Sequence, residues 1–168
     1  MGKTRAASSA TARITALYPE GGPGRHLKAR LRAGEVLVGA TLAEYTRPSL
    51  IKLYQQADFD FVYVEYEHIF FSPPALADTV LAARDNGLPV IAKTPELGRQ
   101  EVAKLLECGV VGIQLPRTES REQLETLLSY IKFPPAGTRA EAAGFGNSDY
   151  IVPTDARQWM ADQDAETT

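Results

Sequence analysis

The stretch that decides the fold of this protein is FVYVEYEH, at positions 61–68. Its first part consists of β-branched and aromatic residues, which favour a buried strand, and its end carries two carboxylates and an imidazole. In parallel α/β folds the ligand lies beyond the carboxyl ends of the strands, so this order predicts a site at residues 65–68. The alternative is a strand end with solvated charges, because charged residues often follow an apolar strand.

Outward from this stretch, strand and helix patterns alternate four times. Apolar runs predict strands at 36–42, 59–66, 88–93 and 110–115. Helical spacing of apolar residues predicts helices at 26–33, 49–57, 75–86 and 98–107, and a weak helix around 155–160. The last clear helix begins after Thr118 or Ser120, either of which can cap it. Its predicted apolar face consists of Leu124, Leu127, Leu128 and Ile131. This alternation predicts an α/β fold with a parallel sheet and right-handed crossovers.

Composition and charge exclude several classes of function. With 168 residues, 44% apolar and 23% charged, the chain has the size and composition of a single folded domain. The net charge of -3 and the absence of a basic block interleaved with aromatics argue against a nucleic-acid partner. No apolar run is long enough to span a bilayer, so no membrane partner is expected. The single cysteine, Cys108, lies in an apolar run and is interpreted as a small core residue, which fits a cytoplasmic protein.

The first 24 residues differ from the rest of the chain. Lys3, Arg5 and Arg13 lie among Ala, Ser and Thr, and Glu20 is the only acid. We interpret residues 1–24 as a disordered arm and residues 25–168 as the folded domain. An organellar targeting segment is the alternative, because transit peptides are also poor in acids and contain Arg and Ser.

Polar side chains end three successive predicted strands and are therefore candidates for one ligand site. Adjacent parallel strands lie roughly 5 Å apart, so these side chains converge if the strands are neighbours. A carboxylate beside an imidazole fixes its tautomer and raises its basicity, as a general base requires near neutral pH. The candidate residues are Glu65, Glu67 and His68 after the second strand, Lys93 after the third, and Gln114 and Arg117 around the fourth.

Each candidate also has a simpler interpretation. Lys93 can hold a substrate carboxylate, stabilise an enolate oxygen, act as a Schiff-base amine, or simply extend into solvent. His68 can bond a loop carbonyl. Arg117 and Arg139 are interpreted as solvated. Glu65 and Glu67 are a weak signal for metal ligation, since Glu-x-Glu alone is unspecific.

Four ordered segments of the chain resemble the HpcH/HpaI aldolase and citrate lyase family. They are EYEH at 65–68, LPVIAKTP at 88–95, LLECGVVGIQLP at 105–116 and FPPAGTR at 133–139, and the resemblance covers about residues 27–150. It implies the first half of a (β/α)8 TIM barrel. It also implies a class II, metal-dependent aldolase, a carbon–carbon lyase that cleaves or forms 4-hydroxy-2-oxoacids from an aldehyde and a pyruvate enolate.

The resemblance also implies roles for individual residues. His68 matches the family's acid/base histidine, Glu65 the acidic residue that supports it, and Glu67 the glutamate just before the histidine. Lys93 falls where better-known members have an arginine that contacts the pyruvyl oxygen, so we expect it to bind substrate, together with Glu67 and Gln114. Glu65 replaces a usual aspartate and Lys93 a planar arginine, so the substrate can differ from theirs.

The resemblance places the family's metal ligands on and after the fifth strand, beyond Thr168. We therefore expect no ligand for Mg²⁺, Mn²⁺ or Co²⁺ within this sequence and little or no activity from the 168-residue chain. A second hypothesis is a non-catalytic half-barrel that associates with itself or with a partner, and a homo-oligomer is expected. A nucleotide-binding flavodoxin-like sheet is disfavoured, because no glycine-rich loop follows the first strand.

Overall fold

The computed structural model describes Tyr18 and residues 21–167. The predicted arm therefore lies largely outside the described residues, although Pro23 and Gly24 begin the first helix. Within the described part of the chain, no helix is both long and apolar enough to cross a bilayer. In chain order the elements are α1 (Pro23–Arg32), β1 (Gly39–Leu42), α2 (Pro48–Gln56), β2 (Phe61–Glu65), α3 (Pro73–Asp85), β3 (Val90–Lys93), α4 (Arg99–Cys108), β4 (Gly112–Gln114), α5 (Arg121–Ile131), a 3₁₀ turn (Gly146–Ser148) and α6 (Ala156–Glu166).

The four strands form one parallel sheet in the order β1-β2-β3-β4. The predicted alternation of strand and helix is confirmed. Each strand lies beside its predecessor in the sequence, which is the order of a (β/α)8 barrel and differs from the 2-1-3 order of flavodoxin-like sheets.

Local sequence signals explain where the helices begin and end. Helices α1, α2 and α3 each have proline in the first turn, where its missing N–H costs nothing. Gly87, with a φ of 73°, follows α3 in the left-handed conformation that glycine adopts readily. Ser120 rather than Thr118 caps α5, because its hydroxyl accepts from the backbone N–H of Gln123, whose side chain bonds back to the Ser120 N–H.

The two faces of the sheet differ in how they are covered. The outer face packs against the connecting helices in one apolar core, where Ile51, Leu76 and Val80 contribute from α2 and α3. The inner face is only partly covered. The outer face consists of Ala40, Leu42, Val62, Val64, Val90 and Ala92, and the inner face of Thr41, Phe61, Tyr63, Glu65, Ile91, Lys93 and Gln114.

The first strand is shorter than predicted. It begins at Gly39 rather than at residue 36, and Val36 and Val38 are 90% and 56% exposed. The reason is the register, because Gly39 pairs with Phe61, the first residue of β2. Just before this point Val38 is bonded to Asp60: its N–H donates to the Asp60 carboxylate and its carbonyl accepts the Asp60 backbone N–H, both at 2.8 Å.

The predicted apolar face of α5 is only half buried. Leu127 and Ile131 pack against Val102 and Leu106 of α4, as predicted. Leu124 and Leu128, in contrast, are 45% and 49% exposed, so their predicted burial is wrong. Helix α5 follows the last strand of the sheet, and only its side toward α4 is covered.

Candidate active site

The sheet register brings three predicted site residues to one level of the inner face. Glu65 of β2 is paired with Lys93 of β3, and Lys93 is paired with Gln114 of β4. All three lie at the carboxyl ends of their strands, where parallel α/β folds bind their ligands. The predicted convergence is therefore confirmed. The Tyr63 hydroxyl, two residues before Glu65 on the same face, donates a hydrogen bond to Oε1 of Gln114.

Lys93 is the centre of this group. Its Nζ lies 2.6 Å from Oε2 of Glu67 and 3.4 Å from Oε2 of Glu65, and its side chain is only 17% exposed. The hydrogen bond from Lys93 lowers the pKa of Glu67, and the same bond raises the pKa of Lys93. A Schiff-base lysine must lose its proton before it attacks a carbonyl. These contacts therefore favour an electrostatic role for the Lys93 ammonium over a nucleophilic one.

The carboxylate beside His68 is that of Glu67, which differs from the expectation that Glu65 supports the imidazole. Nε2 of His68 lies 3.2 Å from Oε2 of Glu67. The reason is that β2 ends at Glu65 and the chain bends after it, which brings the carboxylate of Glu67 next to the imidazole of His68. Glu65 instead accepts the Glu67 backbone N–H at 3.2 Å and contacts Lys93. The His68 side chain is 67% exposed, so a ligand can reach it.

The two predicted solvated arginines have different environments. Arg117 is 76% exposed, but its Nη2 approaches Oε1 of Glu67 at 3.5 Å, so it borders the group. Arg139 is 6% exposed and lies over the ring of Phe133, so its interpretation as solvated is wrong. The half-buried Cys108 packs against the core as predicted, and burial raises the pKa of its thiol to about 11, which argues against a nucleophilic role.

Glu65, Glu67 and His68 are three residues of types that commonly bind metal ions. Each offers one ligand atom, and these atoms lie within 4.8 Å of one another. The Lys93 ammonium, however, is 2.6 Å from Glu67 and already acts as the counter-ion of both carboxylates. A divalent cation at this point would be repelled by that ammonium. The group as arranged therefore does not fit a divalent metal.

Sequence reasoning did not predict the contribution of Tyr63, and it named Arg117 as a candidate but interpreted it as solvated. Tyr63 could have been found from the period of two along a strand, which places it on the same face as Glu65. Arg117 has a φ of 49°, in the left-handed region, and its Nη2 lies 3.5 Å from Oε1 of Glu67. No sequence signal marks such a conformation for an arginine.

The sheet order and the charged strand ends define the class of protein: an α/β chain with four successive βα units of a (β/α)8 barrel. A crystal structure of an HpcH/HpaI aldolase from Desulfitobacterium hafniense matches with a TM-score of 0.77 and 27% identity, over 83% of this chain and 53% of that one. No family model matches the chain.

Two curated relatives agree with this structural match. A hydroxypyruvate/pyruvate aldolase from Pseudomonas aeruginosa is 33% identical over 119 residues, 70% of this chain and 43% of the relative. One of the same name from Roseobacter denitrificans is 29% identical over 136 residues, 76% of this chain and 52% of the relative. The chain is similar to the HpcH/HpaI aldolases, and it spans about half the length of the relatives that it matches.

Proposed function

We propose that Glu65, Glu67, His68, Lys93 and Gln114, which we call the strand-end group, take part in the cleavage or formation of a carbon–carbon bond. The substrates are 4-hydroxy-2-oxoacids, which are cleaved to pyruvate and an aldehyde or formed from them. One observation carries the proposal: a lysine ammonium is held between two carboxylates beside an exposed histidine at the carboxyl ends of neighbouring strands. Relatives named hydroxypyruvate/pyruvate aldolase support the choice of substrate class.

In the proposed reaction His68 takes the proton of the 4-hydroxyl group, and Glu67 orients the imidazole and stabilises its protonated form. The electron pair of that O–H bond forms the aldehyde carbonyl as the bond between C3 and C4 breaks. The electrons of the broken bond pass to the 2-oxo group and give the enolate of pyruvate. The Lys93 ammonium stabilises the enolate oxygen, and the proton held by His68 is then transferred to C3, directly or through water, which yields pyruvate and restores the neutral imidazole.

The other inner-face residues have supporting roles in this proposal. Glu65 keeps the side chain of Lys93 in place from the neighbouring strand. Gln114, held by Tyr63, binds the substrate at the same level. Class II chemistry with Mg²⁺, Mn²⁺ or Co²⁺ is proposed only for a longer protein that contains further ligands, because the residues around Lys93 do not fit such an ion.

Substrate binding is the first test, because a chain that spans half of its relatives is expected to show little or no turnover. Oxalate, a planar mimic of the pyruvate enolate, is titrated into the labelled chain and followed by NMR. We expect the signals of His68, Lys93 and Gln114 to shift. Lys93→Met should abolish these shifts, whereas Lys104→Met, at a side chain that is 61% exposed on α4, should leave them unchanged. Shifts that are the same in Lys93→Met would contradict the proposal.

Turnover is measured separately as pyruvate release from 4-hydroxy-2-oxoacids, with each of the three metals added in turn. Little or no release by the parent chain is the expected result. If the parent releases pyruvate at a substantial rate, the expectation of inactivity is wrong, and His68→Ala must then lose that activity. Release that persists unchanged in His68→Ala would remove His68 from its proposed role.

A second candidate function is association of half-barrels, and the uncovered inner face favours it. Phe61, Tyr63 and Ile91 are only half-buried there, and among the described strands β1 and β4 each pair on one side only. Open strand edges and apolar surface favour association. A second copy related by a two-fold axis would place its β1 beside β4 in parallel orientation and close an eight-stranded barrel.

Size-exclusion chromatography with light scattering tests this second candidate over a range of protein concentrations. We expect the mass of a dimer, and Ile91→Glu on the inner face should give a monomer. Leu53→Glu is the matched control, because Leu53 is 59% exposed on α2, outside the sheet. A parent chain that is monomeric at every concentration would exclude the half-barrel dimer.

A further inference from the structure

Arg139 is a buried cation that forms no ion pair within the described part of the chain. The residue is 6% exposed, and its guanidinium carbon lies 4.6 Å from the centroid of the Phe133 ring. Its Nη1 is buried without a hydrogen-bond partner in the described structure. Its backbone N–H donates to the carbonyl of Lys132, so the segment that carries it is fixed in place.

Burial of such a group is costly unless an anion compensates it. A guanidinium keeps its proton at neutral pH, and an unpaired buried charge destabilises a fold. Burial lowers the pKa of Arg139 to about 10, against the attraction of Asp164 and Glu107. Neither carboxylate lies within ion-pair distance of Arg139 in the described residues, and Asp164 already accepts the backbone N–H of Phe133. The nearby Lys132 adds a further positive charge.

A surface pocket of about 370 Å³ lies beside Arg139. We call it the Arg139 pocket; it is lined by Arg99, Gln100, Ala103, Tyr130, Arg139 and Ala140. Two of these residues are cationic and none is acidic. The guanidinium of Arg99 donates to the carbonyl of Thr138 at 3.0 Å, which holds it next to the segment that carries Arg139.

The position of the pocket on α4 adds to its positive character. Arg99 and Gln100 are the first two residues of this helix, and its N-cap is Gly98, which has no side chain to accept the first N–H groups. The positive end of the helix dipole therefore lies at the same place as Arg99. Glu101, also in the first turn, is directed to Lys104 at 3.8 Å and does not line the pocket.

We propose that the Arg139 pocket binds a phosphate group, either of inorganic phosphate or of a small phosphorylated molecule. Two arginines and a helix N-terminus match the two negative charges and several acceptor oxygens of a phosphate better than the single charge of a carboxylate. None of the residues that line the pocket belongs to the strand-end group around Lys93. The phosphate site is therefore separate from the proposed aldolase site.

Isothermal titration with inorganic phosphate, at an ionic strength kept constant with chloride, tests the proposal on the whole chain. We expect saturable binding that Arg99→Gln weakens about tenfold, since charge-assisted hydrogen bonds are among the strong ones. Arg121→Gln is the matched control and should bind like the parent, because Arg121 is an 86% exposed arginine on α5. No saturable binding to the parent, or equal affinity in Arg99→Gln, would overturn the proposal.

The melting temperature of Arg139→Met, with and without phosphate, gives a second test. Its expected result would not follow if Arg139 only stabilised the fold. In chloride buffer we expect a melting temperature equal to or above that of the parent, because the variant removes an uncompensated buried charge. Phosphate should raise the melting temperature of the parent and not that of the variant. If Arg139→Met does not fold, the result for Arg99→Gln decides. A phosphate effect of the same size in Arg139→Met and in the parent would contradict the proposal.

Two further binding measurements identify the kind of phosphate ligand and the place where it binds. Tighter binding of glycerol phosphate than of inorganic phosphate would indicate a phosphorylated molecule as the ligand, and the reverse order would indicate free phosphate. Lys93→Met should bind phosphate like the parent, because Lys93 lies outside the pocket. Loss of phosphate binding in Lys93→Met would mean that the anion binds at the strand ends and would overturn the separate site.

Discussion

Successive residues of the same strand have different environments on the two faces of the sheet. On the outer face Val62 and Val64 are each 1% exposed beneath the helices, whereas Tyr63 and Glu65 on the inner face are only half-buried. The period of two along a strand separates the residues that form the core from those that form the candidate site. The fold and the site can therefore be changed independently.

Substitution of an outer-face residue should have the largest effect on stability. Leu42 is 1% exposed, and Leu42→Ala should lower the free energy of unfolding by about 2 to 5 kcal/mol, because it leaves a cavity in the core. The matched control is its neighbour on the inner face, Thr41→Ala, which should change that free energy by less than about 0.5 kcal/mol. Urea unfolding measures both. Similar losses in the two variants would mean that the faces do not differ as described.

Substitution of Lys93 on the inner face should change electrostatics rather than packing. In Lys93→Met the pKa of Glu67 should rise, because the hydrogen bond that lowers it is lost and the two carboxylates then lack their shared cation. Titration of the carboxyl ¹³C signals by NMR measures the change. Arg117→Gln, at a side chain that is 76% exposed, should cause a smaller shift. An unchanged pKa of Glu67 in Lys93→Met would show that the two side chains do not interact.

The pH dependence of stability should follow from the same pair. The pKa of Glu67 is lowered from 4.5 in the folded state, so its contribution is fully present above 4.5 and is lost as the pH falls through the folded value. The pKa of Lys93 is raised from 10.5, so its contribution is fully present below 10.5 and is lost as the pH rises through the folded value.

Unfolding free energies of the parent and Glu67→Gln, measured from acid to alkaline pH, check this expectation. The difference in the free energy of unfolding between the two proteins should be largest between pH 4.5 and pH 10.5 and should decrease at both extremes. A difference that does not vary with pH would argue against an ion pair between Glu67 and Lys93.

The smallest effect is expected for the hydrogen bond between Tyr63 and Gln114. Tyr63→Phe keeps the ring on the inner face and removes only the hydroxyl, so we expect a loss below about 1 kcal/mol in the free energy of unfolding. The variant should bind oxalate less tightly if Gln114 contacts substrate, and titration by NMR measures this. A loss of several kcal/mol would mean that this part of the inner face is packed as tightly as the outer face.

Most of the secondary structure could be predicted from the sequence, because its signals are local. Prolines at the beginnings of helices, glycines after them and Ser120 three residues before Gln123 act within a few positions of the chain. The beginning of β1 could not be predicted in this way. It depends on where β2 begins, about twenty residues later, and β-branched residues at Val36 and Val38 give the same signal whether or not a partner strand lies beside them.

For the candidate site, the sequence indicated which residues lie close together but not which side chains contact one another. The polar strand ends identified His68, Glu65, Glu67, Lys93 and Gln114, because parallel strands bring their carboxyl ends to one edge. The partner of His68 depends on the bend after Glu65, which no side-chain pattern encodes. Arg139 was interpreted incorrectly for a related reason: an arginine in a polar loop is usually exposed, and only packing against Phe133 buries it.

The sequence by itself determined the alternation of strands and helices, the apolar core of the outer face and the set of charged residues at the strand ends. These features depend on the period of the side chains and on local backbone preferences, which act over a few residues. Only the tertiary structure decided that Lys93 lies between Glu65 and Glu67, that Glu67 rather than Glu65 faces His68, and that Arg139 is buried beside a cationic pocket. These contacts join segments far apart in the chain, and their distances depend on strand register and loop conformation.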